Sequence, residues 1–334
     1  MPGSWRPHPA GSSSPEHARS PLASDVRAGL ARAPRRLPSR YLYDDLGSAL
    51  FETICHLPWY RITRAESALL DRHAGEIAAR SGPARFVVEL GPGSGDKLRR
   101  LGTAFAACGR AVHLHLVDIS SGALASARRA LSDLDGVSIT ADHATYEAGL
   151  ARVDRVRPPG LSMLTLLLGS NIGNYERDEA VALLRRIRTA GRRGDWLVLG
   201  ADLVKPEADL LLAYDDPLGV TAAFNKNLLF RMNTELGADF DLSSFDHVAR
   251  WNAEHARVEM HLVSRSLQRV LIPGAGLTLR FEAGETIWTE SSCKYTPASL
   301  AALTAEAGFA MNAHWTDHEA GFALALFQAS DDRR

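Results

Sequence analysis

The chain has 334 residues, 46% hydrophobic and 23% charged, which excludes a disordered or fibrous protein over most of its length. Its 38 Lys and Arg offset 39 Asp and Glu for a net charge of −1, so no basic excess exists to hold nucleic acid or another polyanion. Three scattered cysteines, Cys55, Cys108 and Cys293, make neither a disulfide framework nor a Cys-x-x-Cys metal knuckle and fit a reducing, cytoplasmic compartment; no metal is expected.

At roughly 100–200 residues per domain, the length suits two domains or one enlarged one. Residues 1–24 are rich in Pro, Ser, Arg and His and carry no apolar period or signal-type apolar stretch, so they read as a disordered lead-in. Glu66–Arg80 spaces Leu69, Leu70, Ala74 and Ile77 as a helix does. Phe86–Leu90 is a short strand that runs into glycines. Val112–Ile119 is a second strand, Val137–Ala141 a third, and Leu164–Leu168 a fully apolar fourth, as a strand buried on both faces requires. Ala180–Arg188 is helical, with Gly191 and Gly194 beyond it, and Trp196–Leu199 is a fifth strand. This alternation predicts an α/β protein with a doubly wound parallel sheet. The rhythm stops between Lys205 and Thr289. A helical stretch over 208–236, broken near Pro217–Gly219, is followed by the alternations Val258, Met260, Leu262 and Leu277, Leu279, Phe281, which read as antiparallel strands with one wet face. The α/β habit returns with a helix at Pro297–Ala307 and strands at Phe309–Trp315 and Phe322–Phe327. No apolar run approaches the roughly 20 residues of a membrane span.

The strongest local signal is Glu89-Leu90-Gly91-Pro92-Gly93-Ser94-Gly95-Asp96-Lys97, directly after the first strand. Glycines there let the backbone approach a ligand. A dinucleotide fingerprint needs a third glycine where Asp96 stands, so the pyrophosphate reading is weakened. An acidic strand end followed by Gly-x-Gly suits instead the loop that binds S-adenosylmethionine (SAM). Asp118 ends the second strand, where a carboxylate can take both ribose hydroxyls, and Asp142-His143 ends the third, where an adenine amino group can be read. The fourth ends in Gly169-Ser170-Asn171-Ile172-Gly173-Asn174, on the side of the sheet where ligands sit. Asn174 is equally suited to face substrate or to cap the following helix. A nicotinamide oxidoreductase and a non-catalytic SAM binder are the competing classes.

Several long motifs together resemble one family. They are Tyr43-Asp44-Asp45-Leu46-Gly47-Ser48-Ala49-Leu50-Phe51-Glu52, Leu57-Pro58-Trp59-Tyr60-Arg61-Ile62-Thr63-Arg64-Ala65-Glu66, the Gly169–Asn174 segment, Tyr214–Asn225 and Thr289–Tyr295. In this order they resemble the histidine-specific Nα-methyltransferases of ergothioneine biosynthesis, over about Leu37 to Phe327. The resemblance implies a Rossmann-like class I methyltransferase sheet with an inserted α+β substrate domain. It implies a SAM-binding domain over 65–204 and 293–330 and a substrate-binding domain over 25–64 and 205–292. Carried over by motif, Gly91, Gly93, Lys97, Asp118, Asp142 and His143 would hold SAM. Tyr60, Asn174 and Tyr214 would hold the amino acid's carboxylate and amine and so take the catalytic positions, beside Gly169. Glu290 and Ser292, with Ser291 between them, would recognise the imidazole, Met260 would pack on it, and Tyr43 and Phe51 would flank the amine. Arg61 departs from the aromatic usual after Tyr60.

The implied partners are SAM and the small-molecule substrate L-histidine, handled by a monomer with no nucleic-acid or membrane partner. The implied reaction is trimethylation of the histidine α-amine to hercynine. Related fungal enzymes methylate tryptophan derivatives, so an aromatic amino acid other than histidine is the alternative substrate. Glu plus Ser suits an imidazole, with a polar nitrogen at either end, better than an indole with its single N–H.

Overall fold

The computed structural model describes residues 20–330 other than 83 and 110. The chain opens with α1 (Pro21–Leu30), started by Pro21 and capped by Ser20, then the short β1 (Arg35–Arg36). The expected lead-in through residue 24 therefore ends sooner, because Leu22 and Ala23 are buried (3% and 0% exposed); the rest of that stretch, 1–19, lies outside the described residues. α2 (Asp45–His56) begins at Asp44, whose carboxylate accepts the Gly47 N–H, and α3 (Ile62–Arg80) is the first long helix.

Strand and helix then alternate: β2 (Ala84–Leu90), α4 (Asp96–Ala107), β3 (Val112–Asp118), α5 (Ser121–Leu131), β4 (Val137–His143), α6 (Tyr146–Leu150), α7 (Val153–Val156), β5 (Ser162–Leu167), α8 (Arg177–Ala190) and β6 (Trp196–Asp202). Next come α9 (Glu207–Tyr214) and α10 (Val220–Leu236). The break expected between them is a turn in which the Asp216 carboxylate accepts the N–H groups of Leu218, Val220 and Thr221. The antiparallel region is β7 (Phe245–Asn252), β8 (Arg257–Ser264), β9 (Gln268–Ile272), β10 (Leu277–Phe281) and β11 (Thr286–Cys293). α11 (Pro297–Glu306), β12 (Phe309–Asp317) and β13 (Phe322–Ala329) close the chain.

The main sheet has seven strands in the order β12-β13-β6-β5-β2-β3-β4. β4, β3, β2, β5 and β6 are parallel, and β13 and β12 are added antiparallel. This is the Rossmann-like class I methyltransferase sheet. The order in which strands are added reverses between β2 and β5, β3 and β4 lying to one side of β2 and β5 and β6 to the other, and the crevice outside their carboxyl ends is where such sheets bind ligands. β5 and β6 are closed off on both faces, which is why they read as unbroken apolar runs.

A second sheet, β1-β11-β8-β7, is built mainly from the residues that break the α/β rhythm, with β1 added from the N-terminal segment, parallel to β11. β10 alternates as expected, with Thr278 and Arg280 exposed and Leu279 and Phe281 buried. β8 does not have the expected wet face. It lies inside the sheet, and its polar positions Arg257 and His261 are nearly as closed (8% and 6% exposed) as Val258 and Met260.

Candidate functional site

The carboxyl ends of β2, β3 and β5 open into a long cleft lined by Gly91, Gly93, Lys97 and Asp118. At Gly91 the backbone has φ +79°, and a Cβ would lie 2.4 Å from Tyr146 Oη and 2.8 Å from Asn171 Nδ2. Conformation and space both demand glycine, and the missing side chain lets a ligand approach the backbone closely. Asp118 Oδ1 accepts the Ser120 N–H at 2.8 Å. Burial pushes this carboxyl up, and the backbone N–H groups of Ser120 and Ile119 offset part of that.

Beneath the loop lies a buried charge cluster. Lys97 Nζ is 2.6 Å from Glu66 Oε2, and the Gly169 N–H reaches both Glu66 oxygens, at 2.9 and 2.8 Å. Burial is the largest single influence and would lower the Lys97 ammonium, but the charge and hydrogen bond of Glu66, with the fields of Cys55 and Glu89, together outweigh it and hold it raised. Glu89, at the end of β2, has a buried Oε2 with no hydrogen-bond partner among the described residues. Burial pushes its carboxyl up to about 8, against the pull of Lys97.

A smaller cavity opens off this cleft. Its wall includes Tyr43, Phe51, Tyr60, Gly169, Asn174, Tyr214, Met260, Glu290 and Ser292. Tyr43, Phe51 and Tyr60 arrive from the segment around α2, Tyr214 from the end of α9, and Met260 from β8. A bulge in β11 between Trp288 and Glu290 resets its register on β8. After it, Glu290 and Ser292, two residues apart, share the cavity face. Ser291 lies on the outer cleft, where its hydroxyl donates to Glu176 Oε1 at 3.3 Å.

Aromatic rings form one wall. Tyr43 packs edge-on against Phe51 (5.5 Å between centroids) and Phe224 (5.4 Å), and Tyr60 against Tyr214 (6.2 Å). Beside this wall Glu290 is 7% exposed. Burial pushes its carboxyl up to about 7, opposed by the Tyr43 O–H, which donates at 3.4 Å, and by the charge of Lys294. Tyr214 Oη and Ser292 Oγ are 2.7 Å apart.

Two residues expected at the site are not brought to it. Asp142 and His143 do not line the cleft; Thr145, Tyr146 and Glu147 do. Asp142 turns instead toward His115 and Arg152, 3.7 Å from each, and His143 Nε2 donates to the Ile119 carbonyl at 2.8 Å. β4 is the sheet's edge strand, and its end residues are drawn to these neighbours. For Asn174 the structure removes one of the two readings, the helix cap. α8 is capped by Glu176, in a reciprocal box with Glu179, so Asn174 is no cap and its residue lines the cavity. Arg61 points away, toward the Glu319 carbonyl at 3.4 Å.

Sequence reasoning missed Phe224, Thr221, Asn171, Tyr146, Glu66 and Lys294. Phe224 and Thr221 are three apart on α10, within a motif already singled out, so helical spacing would have paired them. Glu66 also closes a motif already quoted, but nothing local marks its role, since its partners come from the loop after β5 and from α4.

A family model described as "Histidine-specific methyltransferase, SAM-dependent" matches residues 22–329. A histidine N-alpha-methyltransferase of Mycolicibacterium smegmatis is 40% identical over 312 residues, covering 93% of this chain and 96% of that protein. Another, of Mycobacterium tuberculosis, is 40% identical over 306 residues, covering 91% of this chain and 94% of that protein. Ergothioneine biosynthesis protein 1 of Neurospora crassa is 30% identical over 207 residues, 61% of this chain and 23% of that protein. With the cleft, the adjoining polar-ended cavity and the sheet that carries them, the match places the chain in the family of histidine-specific, SAM-dependent methyltransferases.

Proposed function

We propose that this chain methylates the α-amino group of L-histidine three times, giving hercynine for ergothioneine biosynthesis. The observation that carries this reading is the cavity beside the SAM cleft, in which Glu290 and Ser292 stand among aromatic rings, beside Tyr43 and Tyr214. A carboxylate and a hydroxyl on one strand face can meet the two polar positions of an imidazole. A cytoplasmic monomer acting on a small molecule is part of the reading. Cys55, Cys108 and Cys293 are all free thiols, as a reducing compartment leaves them. No helix among the described residues is long and apolar enough to cross a membrane.

The cleft fits SAM. It offers a glycine cradle, a strand-end carboxylate with an oxygen to spare, and the unpartnered Glu89 oxygen nearby. Gly91, Gly93, Lys97 and Asp118 would hold it, within a half made of 65–204 and 293–330. SAM supplies the methyl group, already activated on its sulfonium. The other half, 25–64 with 205–292, would hold histidine. Tyr60, Asn174 and Tyr214 would position the carboxylate and amine, so the rate comes mainly from proximity and orientation. The amine must shed a proton first. The tyrosines do not take it as bases, because burial holds Tyr43 and Tyr60 well above the usual phenol range and Tyr214 raised. The proton leaves to water through the open cleft. A methylated ammonium, poor in donors, rests against Tyr43 and Phe51 by cation–π attraction.

The test is mass spectrometry of the purified protein with SAM and the twenty amino acids. Histidine should gain up to three methyl groups. Transfer to tryptophan alone, or to no amino acid, would overturn the reading.

A further inference from the structure

Lys294 lies two residues beyond Ser292 on the chain, just past the end of β11, and its side chain is 0% exposed. An ammonium has three donors and no acceptor. All three are committed here: Lys294 Nζ donates to Tyr214 Oη at 2.8 Å and to Ser292 Oγ at 2.8 Å, and pairs with Asp202 Oδ2 at 2.9 Å. The ammonium also sits 4.6 Å from the centroid of the Tyr214 ring. A buried cation without its partners would be costly, so the arrangement is held.

This fixes what the two hydroxyls can do. Each accepts one hydrogen bond from Lys294. They are 2.7 Å apart and share one proton between them. A phenol is a far better proton donor than an aliphatic alcohol, and the ammonium beside it strengthens that bias, so Tyr214 donates to Ser292 and keeps only an acceptor position, suited to the substrate's amine rather than its carboxylate. Ser292 Oγ then accepts twice, from Lys294 and from Tyr214, and both lone pairs are used. Its own hydrogen remains, and the cavity it lines is where that hydrogen goes.

We propose that Lys294 is a positioning residue that makes Ser292 a hydrogen-bond donor toward the substrate ring, so that the cavity selects a heteroaromatic ring with a bare nitrogen opposite the N–H taken by Glu290. The proposal rests on the reading that this cavity holds histidine. It assigns the ligand's chemical class: a neutral imidazole, with one N–H and one bare nitrogen. An imidazolium would set donor against donor at Ser292. A ring without an acceptor nitrogen, such as indole or thiophene, would leave the Ser292 hydrogen unmet.

The experiment compares kcat/KM for histidine with that for thienylalanine, whose ring has no acceptor nitrogen. It uses the wild type, Ser292→Ala, Lys294→Met and the double variant, with SAM affinity measured by calorimetry in each. Ser292→Ala should lower the histidine preference about tenfold, the effect of one lost hydrogen bond. Lys294→Met should lower it comparably, and the double variant should lose little more than either single one, since both remove the same donor. SAM affinity should stay unchanged throughout. If Ser292→Ala reduces the preference and Lys294→Met does not, or if their effects add, the Lys294 proposal falls and the histidine reading stands. If Ser292→Ala leaves the preference intact, the ring is not read in this cavity and the histidine reading fails here. Should Lys294→Met not fold, Asp202→Asn/Lys294→Met removes both buried charges together and is judged by the same ratio.

Discussion

Glu290 is where specificity is most exposed to a single change. Its carboxylate is buried at one end of the cavity and has Tyr43 as a weak donor at 3.4 Å, so most of its hydrogen-bonding capacity is left for a ligand. Glu290→Ala should cut kcat/KM for histidine by about 10–100-fold, the loss of a charge-assisted bond. Tryptophan should lose less than histidine, because the vacated space is less polar. Adding Met260→Val should move the preference further toward an indole. Steady-state rates on both amino acids check this, and equal histidine efficiency in wild type and Glu290→Ala would place ring recognition elsewhere. Asp118→Ala belongs to the other half of the cleft. It should weaken SAM binding by about 10–100-fold in calorimetry, the worth of a charged hydrogen-bond partner, while histidine specificity is retained. An unchanged SAM affinity in the folded variant would remove Asp118 from the cofactor's contacts.

At the scale of elements, the cofactor loop and the substrate loop are joined by one carboxylate on a helix. Glu66 of α3 pairs with Lys97 of α4 and takes the Gly169 N–H just beyond β5. Room for it is made by β6: a Cβ at Gly200 would lie 1.9 Å from Glu66 Oε1 and 3.1 Å from Phe322 Cζ. Gly200→Ala should therefore destabilise the fold by about 1–3 kcal/mol, as overpacking does, and weaken SAM binding as Lys97 loses its partner. Urea unfolding and calorimetry test the two effects, and a variant with wild-type stability would show that Glu66 moves aside freely. None of this could be read along the chain. The glycine loop, the strand ends and the helix after β5 were legible because strand–turn–helix signals are local. Glu66 and Gly200 were not, since their meaning lies in contacts between α3, β5 and β6. The same holds for β8, whose alternation looks half-wet until β7 and β11 flank it. Asp142 and His143 misled for a related reason: the end of a strand marks the ligand side of the sheet, but which way an edge-strand side chain turns depends on Arg152 and Ile119.

The free molecule as a whole carries acids held out of their preferred state. Burial pushes Glu290 from the ordinary 4.5 to about 7 and Glu89 to about 8. For a carboxyl raised by folding, the native state binds more protons than the unfolded one between the two pKa values. Stability must then fall as pH rises through that window, from about 4.5 to 7 for Glu290 and on to about 8 for Glu89. The buried histidines His115, His247 and His261 act in the opposite sense. Burial lowers each from the ordinary 6.5, so acid costs stability as they are forced to charge. A melting curve of the wild type alone would mix the two trends. Comparison with Glu290→Gln separates them, since glutamine keeps the shape and stays neutral at every pH while the histidines are common to both proteins. The melting temperature of Glu290→Gln relative to wild type should climb from pH 5 to pH 8, and most of the climb should be over by the time Glu290 has ionised near 7. Bound histidine should shrink the difference at the alkaline end, because its ring N–H gives the ionised carboxylate a donor beyond the long Tyr43 bond it has in the free protein. Parallel melting temperatures across this range would mean that Glu290 titrates as an ordinary carboxylate and that its end of the cavity is open to water.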